Sequence, residues 1–151
     1  MKKITTVLVL ALMGFTASAQ MKQAVTWVFS AKKIADKTYE VHMTASISGK
    51  YHMYAQKNGG DVVPVSFSFT KNPLLSLQGG VKEVGKLVSK YEEVWKAKVN
   101  YYEGKVDFVQ VVKTKVAAPV SVKGTLNYMV CDDRQCLPPT DVNFDVKVGG
   151  K

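Results

Sequence analysis

Hydrophobic and polar residues alternate one for one along much of the chain. Tyr39, Val41, Met43, Ala45 and Ile47 interleave with Glu40, His42, Thr44, Ser46 and Ser48. Val63, Val65, Phe67 and Phe69 repeat the pattern, as do Leu126, Tyr128 and Val130, and then Val142, Phe144, Val146 and Val148. Trp27 and Phe29 flank Val28 in the same way. Successive side chains of a strand point to opposite faces, so a period of two with one apolar phase predicts strands with one buried face. Lys105 to Lys115, with Val106, Phe108, Val109, Val111 and Val112, predicts a further strand. Turn-forming residues separate these runs at Ser48-Gly49-Lys50, Asn58-Gly59-Gly60, Lys71-Asn72-Pro73, Gly79-Gly80 and Lys123-Gly124. About seven short strands with regular turns predict an all-β chain folded as an immunoglobulin-like antiparallel β-sandwich. Trp27, Phe67, Phe69, Phe108 and Phe144 then belong to its core.

One stretch breaks the rhythm. Val81, Val84, Leu87, Val88, Tyr91 and Val94 recur at the spacing of an amphipathic helix, with Gly85 weakening that pattern. The expectation here is a short strand followed by an ordered loop.

The amino terminus has a different character. Met1-Lys2-Lys3 is followed by a nearly unbroken apolar run from Ile4 to Phe15 and then by Ala17-Ser18-Ala19. Charge, apolar run and small-residue site together predict an export signal over residues 1–19, cleaved before Gln20. The run is too short for a permanent membrane span, and nothing later approaches one, so residues 20–151 are expected to form one soluble exported domain.

Composition changes the picture little. The chain carries a net charge of +9, and without the two lysines of the signal nineteen basic residues face twelve acidic ones, about +7. The lysines are scattered singly, without an Arg-rich block or a basic helix, which fits strand solubility and edge protection rather than nucleic-acid binding.

The remaining candidate chemistry is the run Cys131-Asp132-Asp133-Arg134-Gln135-Cys136-Leu137-Pro138-Pro139. If the flanking strands form a hairpin, the two cysteines face each other across its neck. Directly opposed residues of antiparallel strands lie about 4.5–5.5 Å apart at Cα, within reach of a disulfide. A ring of about six residues removes only about 2 kcal/mol of chain entropy, a weak staple. Arg134 favours a thiolate, whereas Asp132 and Asp133 oppose it. Spacing alone leaves a structural bridge and a redox pair both open. Two cysteines and the isolated His42 and His52 make a poor metal set, so no metal or cofactor is expected.

The segment Tyr128-Met129-Val130-Cys131 through Pro138-Pro139 resembles the amino-terminal periplasmic domain of the thiol:disulfide interchange protein DsbD. An aromatic strand end, a Cys, a short polar loop, a second Cys, an apolar residue and Pro-Pro carry the resemblance. Tyr51-His52-Met53-Tyr54 is similar to the tyrosine-rich segment lining that family's cysteine pocket, with His52 where a phenol is common. Glu92-Glu93-Val94-Trp95 is similar to its cap, with Val94 or Trp95 as the tip and residues 90–97 as loop. The resemblance implies a periplasmic thiol–disulfide exchange module, a protein-disulfide reductase in activity, with Cys131 and Cys136 reacting. Tyr54, Tyr128, Glu92, Glu93, Val94 and Trp95 would form pocket and cap, and Cys136 would meet partners. The implied partners are thioredoxin-like redox proteins, a membrane electron carrier and oxidised periplasmic clients. The loop between the cysteines is one residue shorter than in the best-known pattern. The chain also ends at Lys151, before the family's membrane and thioredoxin-like domains, so electrons are expected from a separate protein. The competing expectation is a non-enzymatic immunoglobulin-like binding or chaperone domain with a structural bridge, recruiting partners by strand addition.

Overall fold

The computed structural model describes residues 23–150. The expected export signal lies outside them. Nine strands form: β1 (Val25–Ala35), β2 (Thr38–Ile47), β3 (His52–Tyr54), β4 (Ser66–Phe69), β5 (Leu75–Glu92), β6 (Ala97–Thr114), β7 (Val120–Tyr128), β8 (Val130–Cys131) and β9 (Thr140–Val148). Six make one antiparallel sheet in the order β1-β2-β6-β3-β8, with β5 along the other side of β6, and β4-β7-β9 make the second. The fold is an all-β, immunoglobulin-like sandwich of two antiparallel sheets.

The alternating residues fill the space between the sheets. Val41, Met43 and Ala45 of β2 and Val106, Phe108 and Val112 of β6 meet Val122 and Leu126 of β7 and Phe144 and Val146 of β9. Aromatic rings interlock through this layer: Phe108 lies 5.1 Å from Phe67 and 5.9 Å from Trp27, and Phe144 lies 5.7 Å from Phe29. Such tilted and offset contacts suit the ring quadrupole and add to the gain from burial.

Several elements differ from the expectation. The strands number nine among the described residues, and β5 and β6 each run 18 residues. Lys123-Gly124 is not a turn but the middle of β7, where a Cβ on Gly124 would collide with the Ser68 carbonyl and the Phe144 ring. Glycine here lets a neighbouring strand and a ring come close. Gly79-Gly80 lies inside β5, with Gly79 at φ 68°.

The stretch with helical spacing is the latter part of β5, one long strand rather than a short one. Its register against β6 shifts between Gln78 and Lys82 and again between Gly85 and Leu87. Each irregularity resets which residues face the core. A strand reset in this way acquires apolar residues three and four apart without being a helix. As the outer strand beside β6, β5 also leaves Val84, Leu87 and Tyr91 exposed.

At one end of the larger sheet both faces are covered. Met53, Tyr102 and Val130 point into the sandwich core, while their neighbours Tyr54, Tyr101 and Cys131 belong to a second cluster with Val62, Val99 and Met129. Val63, Val88 and Trp95 pack against that cluster. The candidate site is built on this outer face.

Candidate functional site

The chain reaches the site by changing sheets. β7 ends at Tyr128, paired with Thr140 of β9, and Met129 alone separates it from β8, which pairs with β3 in the other sheet. The ladder of the last hairpin ends at Tyr128–Thr140, and beyond it the two cysteines face each other as expected, in an isolated antiparallel bridge. Cys131 and Cys136 are disulfide-bonded, with Cα atoms 3.9 Å apart, closer than two opposed strands would place them. They close a short loop of their own. Cys131 is only 2% exposed, whereas Cys136 is exposed.

Asp132 organises the loop. Its Oδ1 accepts hydrogen bonds from the backbone N–H groups of Arg134 and Gln135, both at 2.9 Å, and its Oδ2 accepts one from Lys50 Nζ at 3.0 Å. These bonds, led by that from Arg134, hold its carboxyl down at about 2. The Asp132 N–H donates to the Gln135 carbonyl and the Leu137 N–H to the Val130 carbonyl, each at 2.9 Å.

A cleft of about 440 Å³ opens over the disulfide. His52, Tyr54 and Cys131 form part of its lining on the sheet side. Lys90 to Trp95 form another part, and the loop from Asp132 to Cys136 a third. The β5–β6 hairpin turns over Glu93 to Lys96, with Lys96 at φ 48°, and closes by bonds from Trp95 N–H to Glu92 and from Lys96 N–H to Glu93, each at 3.2 Å. Residues 90–92 are still strand, so the turn is shorter than the 90–97 loop of the expectation. Val94 is its outermost side chain, 82% exposed. Trp95 turns inward, and its Nε1 donates to the Tyr54 hydroxyl at 2.9 Å while the two rings meet edge to face. Behind the turn, Asn58 holds Asn100 by bonds of 2.7 and 2.8 Å. A Cβ on Gly60 (φ 68°) would crowd Trp95 and Ala97.

The structure thus brings Tyr54, Glu92, Glu93, Val94, Trp95, Cys131 and Cys136 around one cleft. Tyr128 is elsewhere. Its side chain lies in the sandwich core, 5.5 Å from Trp27, because its register places it on the inner face of β7. Arg134 is exposed on the loop.

His52 gains a closer place than the resemblance implied, and Lys50 one that the sequence did not point to. His52 is not isolated: it pairs directly with Cys131 across β3 and β8 and packs against Tyr54 and Tyr101. Burial lowers the titration of its imidazole, and burial raises the phenols of Tyr54 and Tyr101. The parity of Tyr51-His52-Met53-Tyr54 contained the signal, since His52 shares a face with Tyr54. Lys50 gains its place through its bond to Asp132. His42 is not isolated either, but it sits away from the cleft, 2.7 Å from Asp107. Among the described residues no group of three or more His, Cys, Asp or Glu side chains is arranged to hold a metal.

Residues 17–147 match the family described as thiol:disulfide interchange protein DsbD, N-terminal, and the chain belongs to that family. It is a domain of that family with one disulfide pair. No curated protein sequence matches the chain significantly. Among solved structures, it is similar to the DsbD N-terminal domain of Neisseria meningitidis in its reduced form. The identity is 22% and the TM-score 0.53, covering 82% of this chain and 86% of that one. The Neisseria DsbD N-terminal domain in complex with the PilB N-terminal domain gives 20% and 0.51, over 85% and 87% of the two chains. The N-terminal periplasmic domain of ScsB from Proteus mirabilis gives 14% and 0.56, over 81% of this chain and 50% of that one. Likeness at these identities concerns the fold.

Proposed function

We propose that this domain is a periplasmic thiol–disulfide exchange module that passes electrons through Cys131 and Cys136 from a thioredoxin-like or membrane donor to oxidised exported proteins. The observation that carries this reading is the asymmetry of the pair. The exposed Cys136 is open to an attacking thiolate, and the buried Cys131 serves as the leaving and resolving sulfur. The cleft around it has the form of a docking site with a lid. The Glu92–Trp95 turn, latched by Trp95 to Tyr54, shields the disulfide from wrong partners, and Glu92 and Glu93 disfavour a thiolate until a partner displaces them. Family membership supports the reading. So do a similar domain known in a reduced form and another in complex with a PilB domain. The apolar residues at Ile4 to Phe15 support export.

The test is trapping. Cys131→Ser leaves Cys136 free to form a mixed disulfide with a thioredoxin-like protein that cannot be resolved internally, and this adduct is expected on a non-reducing gel. The pair is also expected to equilibrate with glutathione buffers. No adduct, together with a reduction potential below about −300 mV, would instead mark a structural bridge in a binding domain.

A further inference from the structure

His52 stands at the one place in the cleft where a titratable ring meets the buried sulfur's strand. It is the direct partner of Cys131 in the β3–β8 ladder, and directly opposed residues of an antiparallel pair project from the same face. Both line the same cleft. Tyr101, 4.6 Å away between centroids, and Tyr54, at 5.3 Å, pack against the imidazole. Its Nε2 is buried and has no hydrogen-bond partner, a condition shared among the buried side-chain nitrogens and oxygens of the described residues only by Trp27 Nε1. An orphaned polar atom is costly in a static structure, and a redox or acid–base task in another state of the site is a recognised reason to keep one.

We infer that His52 is the acid–base partner of Cys131, exchanging a proton at Nε2 with that sulfur as the disulfide opens and closes. The inference rests on the exchange reading above and adds the proton to it. In the reducing direction a thiolate of a dithiol partner attacks Cys136 Sγ, forming the mixed disulfide, and the electron pair of the broken S–S bond goes to Cys131 Sγ. His52, protonated from solvent, supplies the proton that converts this thiolate into a thiol. The partner's second thiol loses its proton and attacks the partner's first sulfur, releasing Cys136 as a thiolate and leaving the partner oxidised. In the reverse direction the Cys136 thiolate attacks one sulfur of a client disulfide, forming a mixed disulfide, and the electron pair of the broken client S–S bond goes to the departing client sulfur. His52 then removes the Cys131 proton, and the Cys131 thiolate attacks Cys136 Sγ and expels the second client sulfur.

The surroundings fit a group that changes state with the sulfur. Facing it are Tyr54 on β3, Tyr101 and Glu103 on β6, Lys90, Glu92 and Glu93 on the β5 hairpin, and Lys50, Asp132, Asp133 and Arg134 on the loops. Burial is the strongest influence and favours the neutral ring. Glu92, Glu103 and Asp133 pull the other way, and Lys90 adds to the burial effect. A thiol at Cys131 can donate to the orphaned Nε2, which a disulfide sulfur cannot, and that bond favours the neutral ring.

The experiment follows the two imidazoles by NMR between about pH 5 and 8 in the oxidised protein and in the protein reduced with dithiothreitol. His52 is expected to titrate about one unit lower in the reduced protein, where the Cys131 thiol donates to the neutral ring. His42, on β2 and held by Asp107 of β6 away from the cleft, serves as the control. Identical His52 titrations in the two states overturn the inference. As a second measurement, the rate of disulfide reduction by dithiothreitol is followed against pH in the wild type and in His52→Gln, which keeps a hydrogen-bonding side chain but cannot titrate. The variant is expected to lose the wild-type inflection and to react roughly tenfold more slowly at the acid end, the equivalent of one pKa unit. An unchanged profile overturns the inference. Dithiothreitol needs no docking surface, so these readouts are independent of whether Cys131→Ser traps a thioredoxin-like protein.

Discussion

The sandwich interior and the cluster behind the disulfide are fed by the same strands but built on different terms. Between the sheets, Phe108, Leu126 and Phe144 pack among side chains that are mostly aliphatic, with Tyr39, Tyr102, Tyr128 and Trp27 among the exceptions that carry a polar atom. On the outer face, Tyr54, Tyr101, His52 and Trp95 are aromatic residues with a polar handle. The first arrangement maximises apolar area and tolerates no gap. The second fixes orientation, through a bond such as Trp95 to Tyr54 and through edge contacts, at the cost of polar groups that need partners. One strand register thus separates a layer that holds the fold from a layer that presents a sulfur.

The largest test of that contrast is Phe108→Ala. Phe108 is fully buried, and its loss is expected to reduce stability by about 3–5 kcal/mol in urea denaturation. A loss below about 1 kcal/mol would show that the interior is not the dominant layer. Tyr54→Phe addresses the outer cluster. It removes the acceptor of Trp95 Nε1 and is expected to lower stability by about 1 kcal/mol. The same change is expected to speed alkylation of Cys136 in the reduced protein and hydrogen exchange in the Glu93–Lys96 turn. Equal costs from Tyr54→Phe and Phe108→Ala would erase the distinction. The smallest effect belongs to the loop. Asp132 has its folded-state carboxyl lowered to about 2, so its stabilising contribution is fully present above the unfolded value near 3.8 and is lost as pH falls through about 2. Asp132→Asn is expected to be slightly less stable than wild type at about pH 6, with the difference narrowing towards pH 2, as read from urea midpoints. A constant difference would show that the carboxylate charge is not what ties the loop.

Much of the first layer could be read from the chain. The period of two in Tyr39–Ile47 and Val142–Val148 gives both the strands and their buried faces, because burial and pleat share that period. The β5 segment was not legible as a long strand, since two register shifts turn its alternation into something with helical spacing. The switch of sheets at Met129 was also hidden. Alternation says which residues share a face of one strand, not which sheet that strand joins; it groups Tyr128 with Leu126 on the buried face, where the structure has it, and the pocket place came from the resemblance alone. The cysteines were legible from residue type and spacing. The contacts that complete their surroundings were not: Lys50 reaches Asp132 over 82 residues, and Trp95 reaches Tyr54 over 41.

The Asp132 loop also bears on what the cysteines do when the bond between them is open. Bonds to the Asp132 carboxylate from Arg134 N–H, Gln135 N–H and Lys50 Nζ, from Asp132 N–H to Gln135 and from Leu137 N–H to Val130 close the turn without involving sulfur. The β3–β8 pairing at His52–Cys131 and Met53–Val130 anchors its start independently. Opening the disulfide therefore releases no length of chain, and each thiol remains at a high effective concentration relative to the other. The oxidising partner has to supply only the first sulfur–sulfur contact, because the second is already intramolecular.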